Sequence, residues 1–290
     1  MIDYNRYQQS FRATTSPSFI ESEINERLLE KLDFIHIEPE SILDLGCGAG
    51  FGLSLLQQRF PKSNIKGMDI NAKTLAHVAR NLPFKKQELT CTDFNAPLPY
   101  PAHSFDLIIA NFSLQGAKNI YDLLKALFEI LKPNGILLFS MLAEESLKEF
   151  RASWEHIDQY CHHNPFISAK DMSNILQHSL FNDTVLDCEE ITLEYSSVHN
   201  AIKDIQHFNE PLSLKNMRTT LTGKQRWQAF EHQWRVLFQQ KDGKIPSSYH
   251  IMYGHACKPE KSQLKLEQNN EAKFSLAEIS AYLKQGTKPT

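Results

Sequence analysis

The first clear hydrophobic pattern of the chain has the period of a helix. Apolar residues recur at Ile20, Ile24, Leu28 and Leu32, close to the helical repeat of 3.6 residues. Ser16-Pro17-Ser18 precedes them and is typical of a helix N-terminus, because serine caps free backbone N–H groups and proline is tolerated in the first turn. The pattern predicts one amphipathic helix in a segment that extends to residue 40 and precedes the main domain.

A second pattern follows, in which short apolar runs alternate with helical periods. Such strict alternation predicts a parallel sheet with right-handed crossovers, which is an open α/β fold. Strands are predicted at 41–45, 64–70, 87–91, 105–111 and 136–141, and helices after Gly50, through Leu75 and Val78, and from Tyr121 to Leu131.

Beyond residue 143 the rhythm changes. Helices are predicted near 144–160 and 168–178, strands at 184–195 and 249–257, and a mainly helical stretch with a break at Pro211 lies between these strands. We expect the two late strands to complete the sheet and the helical stretch to form a lid. The predicted units are a helical segment (1–40), a core (41–196), a lid (197–244), a final core strand (245–258) and a polar tail (259–290) with a weak helix near 275–283.

Composition narrows the class of protein. With 290 residues, 41% hydrophobic and 22% charged, the chain can bury a real core, which excludes a disordered or fibrous protein. A net charge of -3 provides no overall attraction to nucleic acid or to an anionic membrane. The beginning of the chain has no signal-peptide pattern, and no run approaches the roughly 20 apolar residues that span a bilayer. The five cysteines are scattered without a C-x-x-C pair, so we expect a cytoplasmic protein without disulfides. Cys161-His162-His163 has no further ligands nearby, so we expect no metal site there.

The most informative segment is LDLGCGAGFG at 43–52. A buried strand leads directly into Gly46, Gly48 and Gly50 and then into a helix. Glycines at such a turn let the backbone bend sharply and let a ligand approach the main chain. The third glycine comes one residue too early for the dinucleotide fingerprint, and Gly52 does not restore that spacing. A glycine-rich turn without a ligand is the alternative.

Three polar residues follow the next predicted strands. Asp69 ends the second strand, where a carboxylate can accept both hydroxyls of a ribose, although it could instead cap the following helix. Asp93 follows the third strand, where an adenine edge would then lie, or it forms an Asx-turn. Asn111 ends the fourth strand at the ligand-binding edge of the sheet, or it bonds the loop backbone.

Four segments resemble, in order and spacing, the motifs of class I S-adenosylmethionine-dependent methyltransferases over roughly residues 20 to 142. These segments are LDLGCGAGFG, GMDI, TDFNAPLPYPAHSFDLIIANFSLQ and ALFEILKPNGILLF. The resemblance implies a Rossmann-like, mostly parallel seven-stranded sheet with helices on both faces and a helical lid. It also implies S-adenosyl-L-methionine as cofactor, with Gly46, Gly48 and Asn111 near the methionine part, Asp69 on the ribose, and Asp93 and Phe94 on the adenine. The full set of residues expected to bind the cofactor is Asp44, Gly46, Cys47, Gly48, Asp69, Ile70, Asp93, Phe94, Asn111 and Phe112.

A narrower resemblance covers most of the chain up to Lys258. The chain is similar to the malonyl-acyl-carrier-protein O-methyltransferases of biotin synthesis (BioC) in the stretches 146–172 and 243–258. A weaker similarity lies in LTGKQRW at 221–227. The chain departs from that family at Gly116, where a tryptophan is usual, and in DIQHFNEP at 204–211, which replaces a glycine-containing motif of the lid. Both departures fall on the substrate side.

Methylation of a malonyl carboxylate needs no general base, because the carboxylate is already ionised at neutral pH. It needs a cation to orient the acceptor, and Arg151 is the candidate, with a solvated surface arginine as the alternative. Between Ser197 and Lys244 there are eight Lys or Arg residues against four acids, which suits an acidic malonyl-carrier protein but is also common on solvated helices.

Two other functions stay open at this stage. The chain could act on a different acceptor, as does an arginine-hydroxylase-like assembly factor of respiratory complex I, or it could bind the cofactor without catalysis.

Overall fold

The structure is a computed structural model and describes residues 15–82, 88–207 and 222–260. Its centre is a seven-stranded sheet of order β3-β2-β1-β4-β5-β7-β6, in which β7 runs antiparallel to both of its neighbours and the other pairs are parallel. The strands are β1 (Ser41–Leu45), β2 (Asn64–Asp69), β3 (Glu88–Cys91), β4 (Phe105–Asn111), β5 (Leu131–Leu142), β6 (Asn182–Tyr195) and β7 (Ile245–Cys257). The mostly parallel α/β fold predicted from the sequence is confirmed.

Helices connect the strands and cover both faces of the sheet. The α-helices of the described ranges are α1 (Phe19–Glu30), α2 (Phe51–Arg59), α3 (Ala72–Asn81), α4 (Ile120–Ile130), α5 (Lys148–Glu155), α6 (Ala169–Gln177), α7 (Val198–His207) and α8 (Lys224–Phe238), with 3-10 turns at Lys31–Phe34 and Leu114–Gly116. The predicted N-terminal helix is present and begins with a capping box, in which Ser18 and Glu21 bond each other's backbone N–H groups. None of these helices is both long and apolar enough to cross a bilayer.

The core has two layers, one on each face of the sheet. Ile20, Ile24 and Leu28 of α1 pack with α2 and α3 against one face. Leu124 and Leu127 of α4 pack with α6 against the other. Burial of each such side chain contributes about 1.5 to 3 kcal/mol, so the sheet is fixed from both sides and its carboxyl edge becomes a rigid platform.

Three predicted boundaries were wrong by several residues. β5 begins at Leu131, before the predicted 136, because Leu131 pairs with Phe105 ahead of a shift in register. β7 begins at Ile245 and includes Pro246, which is tolerated because β7 pairs there with β6 alone. The helix predicted at 144–160 spans only Lys148–Glu155, since Leu147 adopts a left-handed conformation with φ 57° and interrupts it.

The helices between β6 and β7 pack on the end of β7. Phe230 and Trp234 of α8 are fully buried with Val198 of α7 and Trp154 of α5. The indole N–H of Trp234 donates to the carbonyl of Pro246 at 3.2 Å. Phe230 and Trp234 therefore anchor α8 in a small hydrophobic core. The described residues do not include the tail beyond residue 260 or the part of the DIQHFNEP segment after residue 207, to which Pro211 belongs.

Candidate active site

The glycine loop after β1 is held against the end of β2. The backbone N–H groups of Gly46 and Cys47 both donate to the carbonyl of Met68, at 2.7 and 2.9 Å. Gly46 has φ 75°, and a Cβ there would lie 2.5 Å from the Cβ of Ser113, so only glycine lets the loop pass the segment after β4. Gly48 has φ 49° and has no atom within 4 Å of the place where its Cβ would be. The backbone at Gly48 is therefore open to a ligand.

Asp69 lies at the carboxyl end of β2 and faces this loop. One carboxylate oxygen accepts the N–H of Gly48 at 3.0 Å, and the other accepts the N–H of Asn71 at 2.8 Å. Burial raises the pKa of Asp69 above its usual value, while these backbone N–H donors act in the opposite direction. The helix after Asp69 is capped by the side chain of Asn71 and not by Asp69. Each oxygen of Asp69 retains acceptor capacity for a hydroxyl group.

The loop and Asp69 form one side of a cleft of about 1030 Å³, including its open mouth. Nine of the ten residues predicted to bind a cofactor line it: Asp44, Gly46, Cys47, Gly48, Asp69, Ile70, Phe94, Asn111 and Phe112. The structure therefore brings the predicted residues to one place at the carboxyl edge of the sheet.

Asp93 is the predicted residue that does not line the cleft. Its Oδ1 accepts the backbone N–H and the side-chain N–H of Asn95, both at 2.9 Å, which is the Asx-turn alternative. Asn95 in turn donates to the carbonyl of Gly116 at 3.2 Å. Asp93 thus shapes the loop that carries Phe94, and its contact with an adenine stays a prediction.

Asn111 has a structural role within the cleft wall. Its amide N–H donates to the carbonyl of Glu21 in α1 at 3.1 Å, and its oxygen accepts the hydroxyl of Ser140 at 2.6 Å. Phe112, which follows with φ 52°, donates its backbone N–H to the same serine. The backbone carbonyl that Asn111 bonds belongs to helix α1 and not to a loop, as the sequence alternative had it, and the bond attaches α1 to the cleft.

Asp44 is a strongly perturbed titratable group of the cleft. It is almost completely buried at the end of β1, and burial raises its pKa from 3.8 to about 7, with a further contribution from the nearby Asp69 carboxylate. Burial likewise raises the pKa of the Cys47 thiol well above its usual value. A carboxyl group with a pKa near 7 in a cleft is a marker of a functional site.

Ten residues that line the cleft are outside the predicted set, and four of these ten belong to the N-terminal helical segment. Ser16 and Pro17 before α1, and Glu21 and Asn25 within it, also line the cleft. Asn25 could have been recognised, because a polar residue at this place interrupts the buried face of α1 between Ile24 and Leu28.

Arg151 faces a second cavity, which shares no lining residue with the cleft. This cavity has a volume of about 1120 Å³, including its open mouth, and is lined by residues between Arg151 and Pro165. Arg151 is half-buried, and among the described residues no carboxylate pairs with it and its buried Nε has no hydrogen-bond partner. Arg151 is therefore partly buried beside an open cavity, and its role in binding an acceptor stays a prediction.

The other side chains of the second cavity form a stacked group. The ring of Trp154 lies 3.7 Å from that of His162 and 4.4 Å from that of Phe230. Asp158 accepts from His162 at 2.7 Å and is 3.5 Å from Arg226 of α8. Across the part of the chain that the structure describes, no group of three His, Cys, Asp or Glu side chains is arranged to hold a metal ion.

Comparisons with known proteins show the family and the fold of the chain. The methyltransferase-domain family matches residues 18–184. A malonyl-[acyl-carrier protein] O-methyltransferase of Methylovorus sp. is 30% identical over 90% of each chain, and one of Halorhodospira halophila is 29% identical over 88% of each. The YcgJ protein of Bacillus subtilis superposes with a TM-score of 0.57 at 14% identity, over 81% of this chain and 99% of its own, which shows a shared fold.

The family match covers more than half of the chain, and the relatives match it along nearly their whole length. The chain therefore belongs to the methyltransferase family and, within it, to the malonyl-[acyl-carrier protein] O-methyltransferases, as an S-adenosyl-L-methionine-dependent methyltransferase.

Proposed function

We propose that the chain transfers the methyl group of S-adenosyl-L-methionine to the free carboxylate of a malonyl thioester carried by an acyl-carrier protein. The relatives are malonyl-[acyl-carrier protein] O-methyltransferases, and this activity supports the same acceptor. The unpaired guanidinium of Arg151 is the observation on the chain itself that carries the proposal, because a half-buried cation without a partner is suited to bind an anionic group.

The residues of the cleft fit the proposed cofactor. The open backbone at Gly48 leaves room for a ligand beside the main chain, and Asp69 offers two acceptor oxygens for ribose hydroxyls. Ile70, Phe94 and Phe112 provide apolar surface for a purine ring. When bound, the cofactor would supply an activated methyl group, and these side chains would hold it in one orientation.

The protein itself then has little chemistry to perform. The malonyl carboxylate is ionised at neutral pH, so no proton has to be removed. Orientation of the acceptor at near-attack distance can supply about 7 to 11 kcal/mol of the barrier. In this proposal Arg151 grips the acceptor carboxylate and the cleft residues fix its reaction partner.

A direct assay tests the function. The purified protein, S-adenosyl-L-methionine and malonyl-acyl-carrier protein should yield a malonyl methyl ester, detected as one added methyl group by mass spectrometry, whereas acetyl-carrier protein should stay unmodified. Growth of a biotin-requiring strain that lacks its own malonyl-carrier methyltransferase should be restored in parallel. Binding of the cofactor without any methyl ester would contradict the proposed acceptor.

Arg151→Met is expected to lower kcat/KM for the malonyl thioester about 10- to 100-fold, because the change keeps the apolar stem and removes the charge. The dissociation constant for S-adenosyl-L-methionine should stay the same. Arg80→Met, on the exposed surface of α3, is the matched control and should change neither quantity. Equal methyl transfer by the Arg151 variant and the parent would assign Arg151 to the surface.

The basic residues between Ser197 and Lys244 are proposed to attract the carrier protein. Two of these residues already have carboxylates beside them, because Arg226 is next to Asp158 and Lys244 pairs with Glu194 and Asp242. Four exposed cations in the described part of this segment have no ion-pair partner there: Lys203, Lys224, Arg235 and Lys241. Lys215 and Arg218 lie outside the described residues.

Salt should therefore slow the reaction with malonyl-carrier protein more than the reaction with a small malonyl thioester. Exposed charges are screened over about 8 Å at physiological ionic strength, so salt acts mainly on the encounter of the two proteins. The variant Lys203→Gln/Lys224→Gln/Arg235→Gln/Lys241→Gln should lose most of this salt dependence and should keep its rate with the small thioester. An unchanged salt dependence in that variant would exclude these four residues from carrier recognition.

A further inference from the structure

The second cavity contains two buried polar atoms that the proposed reaction does not use. Nε1 of Trp154 is a donor, and Oδ2 of the Asp158 carboxylate is an acceptor. Trp154 is 6% exposed and the side chain of Asp158 is 9% exposed, and both residues line the cavity. Within the described residues neither atom makes a hydrogen bond. A buried polar atom without a partner lowers stability, so a donor and an acceptor of this kind beside an open cavity are suited to bind a ligand.

The indole of Trp154 is fixed in one orientation. Its ring is stacked on those of His162 and Phe230, with angles of 8° and 19° between the ring planes. Rings held nearly parallel at such short distances leave little freedom for rotation of the side chain. The direction of the indole N–H is therefore set before any ligand binds.

Asp158 is fixed through its other oxygen. Oδ1 accepts Nε2 of His162 at 2.7 Å and the backbone N–H of Tyr160 at 3.1 Å. Burial acts to raise the pKa of Asp158, but these two bonds outweigh it and the pKa lies below its usual value. Oδ2 lies 3.5 Å from the guanidinium of Arg226, which is an ion-pair contact without a hydrogen bond. At neutral pH Oδ2 is thus an ionised acceptor without a hydrogen-bond donor.

A donor and an acceptor in one cavity are complementary to a group that carries both. A secondary amide has one N–H and one C=O. An anion would be repelled by Asp158, and a cation would leave the indole N–H of Trp154 unpaired. The proposed acceptor has such a group close to its reacting end, because acyl-carrier proteins hold their acyl thioesters on a pantetheine arm. An ethylene group joins the sulfur of this arm to its first amide.

We propose that Trp154 and Asp158 bind a secondary amide of the pantetheine arm while Arg151 holds the malonyl carboxylate. The inference rests on the proposed function and extends it to a part of the substrate that does not react. Arg151 and Trp154 are three residues apart in α5, so they lie on the same side of the helix with their Cβ atoms about 5 to 6 Å apart. Contacts with an unreactive part of a substrate orient its reacting part.

Three malonyl thioesters provide the test. The N-acetylcysteamine thioester contains the amide, its oxygen analogue has an ester in place of the N–H, and the butyl thioester has neither donor nor acceptor there. In the parent, kcat/KM for methyl transfer should be about tenfold or more higher for the amide compound than for the other two. Asp158→Asn removes the charge opposite the amide N–H and should reduce the preference for amide over ester to about twofold or less.

Trp154→Phe keeps an aromatic ring in the stack and removes the N–H. Its kcat/KM should fall about tenfold for the amide compound and by less than about twofold for the butyl compound. Trp227→Phe is the matched control, since Trp227 belongs to the same aromatic cluster, 5.5 Å from Phe230, and does not line the cavity. It should treat all three thioesters as the parent does. Equal losses for the amide and butyl compounds in Trp154→Phe, or a parent that does not distinguish amide from ester, would overturn the subsite.

Pantetheine itself, without a malonyl group, gives a measurement that does not depend on methyl transfer. The indole N–H signal of Trp154 in an NMR spectrum, identified by its loss in Trp154→Phe, should shift when pantetheine is added at millimolar concentration. A signal that does not move would overturn the subsite even if methyl transfer were observed. If the signal shifted but no malonyl thioester were methylated, the proposed function would be wrong and the amide subsite would stand.

Discussion

Replacement of Asp69 by alanine is expected to weaken the binding of S-adenosyl-L-methionine by about 1.5 to 3 kcal/mol, the range for hydrogen bonds to a charged group. The two oxygens of Asp69 already accept the N–H groups of Gly48 and Asn71. The alanine variant therefore loses the ribose acceptors and also a bond that holds the glycine loop. Calorimetry measures the affinity, and circular dichroism checks that the fold is kept.

A second variant separates these two effects. Asp69→Asn keeps an acceptor oxygen but removes the charge, so its loss of affinity should be smaller than that of alanine. Asp122→Ala removes an acidic side chain in the first turn of α4 and should leave binding unchanged. If Asp69→Ala bound the cofactor with the affinity of the parent, the ribose assignment would be wrong.

The cleft could be predicted largely from local sequence because its residues follow strands. Carboxyl ends of adjacent parallel strands meet at one edge of a sheet, so residues at the ends of β1, β2 and β4 must converge. Asp44, Asp69 and Asn111 occupy such positions, and all three line the cleft. The alternation of strands and helices was enough to predict this convergence.

Residues that reach the cleft from outside this repeat were not predicted. Asn25 lies on a helix that precedes the first strand, and its place at the cleft depends on how α1 packs against α2 and the sheet. The reason for a glycine at position 52 is visible only in the structure, where the side chains of Asn25 and Asp44 occupy the space that a Cβ would need. Such contacts join distant parts of the chain and leave no spacing rule in the sequence.

The position of Arg151 beside the second cavity also depends on tertiary structure. The sequence predicted a helix over 144–160 and gave Arg151 either as the residue that orients the acceptor carboxylate or as a solvated surface arginine. The left-handed residue Leu147 and the short length of α5 instead place Arg151 at the start of a loop-lined cavity. The backbone conformation at residue 147 is fixed by bonds to β7, where its N–H donates to the carbonyl of Ser248 at 2.7 Å.

Glu149 is the residue that fixes α5 on β7. It is 2% exposed, and its carboxyl oxygens accept the N–H of Ser248 at 2.9 Å and the hydroxyl of Ser248 at 2.6 Å. These bonds occupy the edge of β7 at the end that β5 does not reach. They replace a neighbouring strand and set the position of the helix that carries Arg151 and Trp154.

Glu149→Leu is therefore expected to lower the free energy of unfolding by about 3 kcal/mol, because two buried donors of Ser248 lose their acceptor. Glu149→Gln retains one acceptor oxygen and should lose roughly half as much. Urea unfolding measures both changes, and Glu145→Leu, at an exposed position just before α5, should stay close to the parent. In the folded glutamine variant, KM for the malonyl thioester should rise while cofactor affinity stays constant, since α5 bears Arg151 and does not line the cofactor cleft. A loss of cofactor affinity equal to the loss for the acceptor would show that α5 supports the whole sheet edge and has no selective role in placing Arg151.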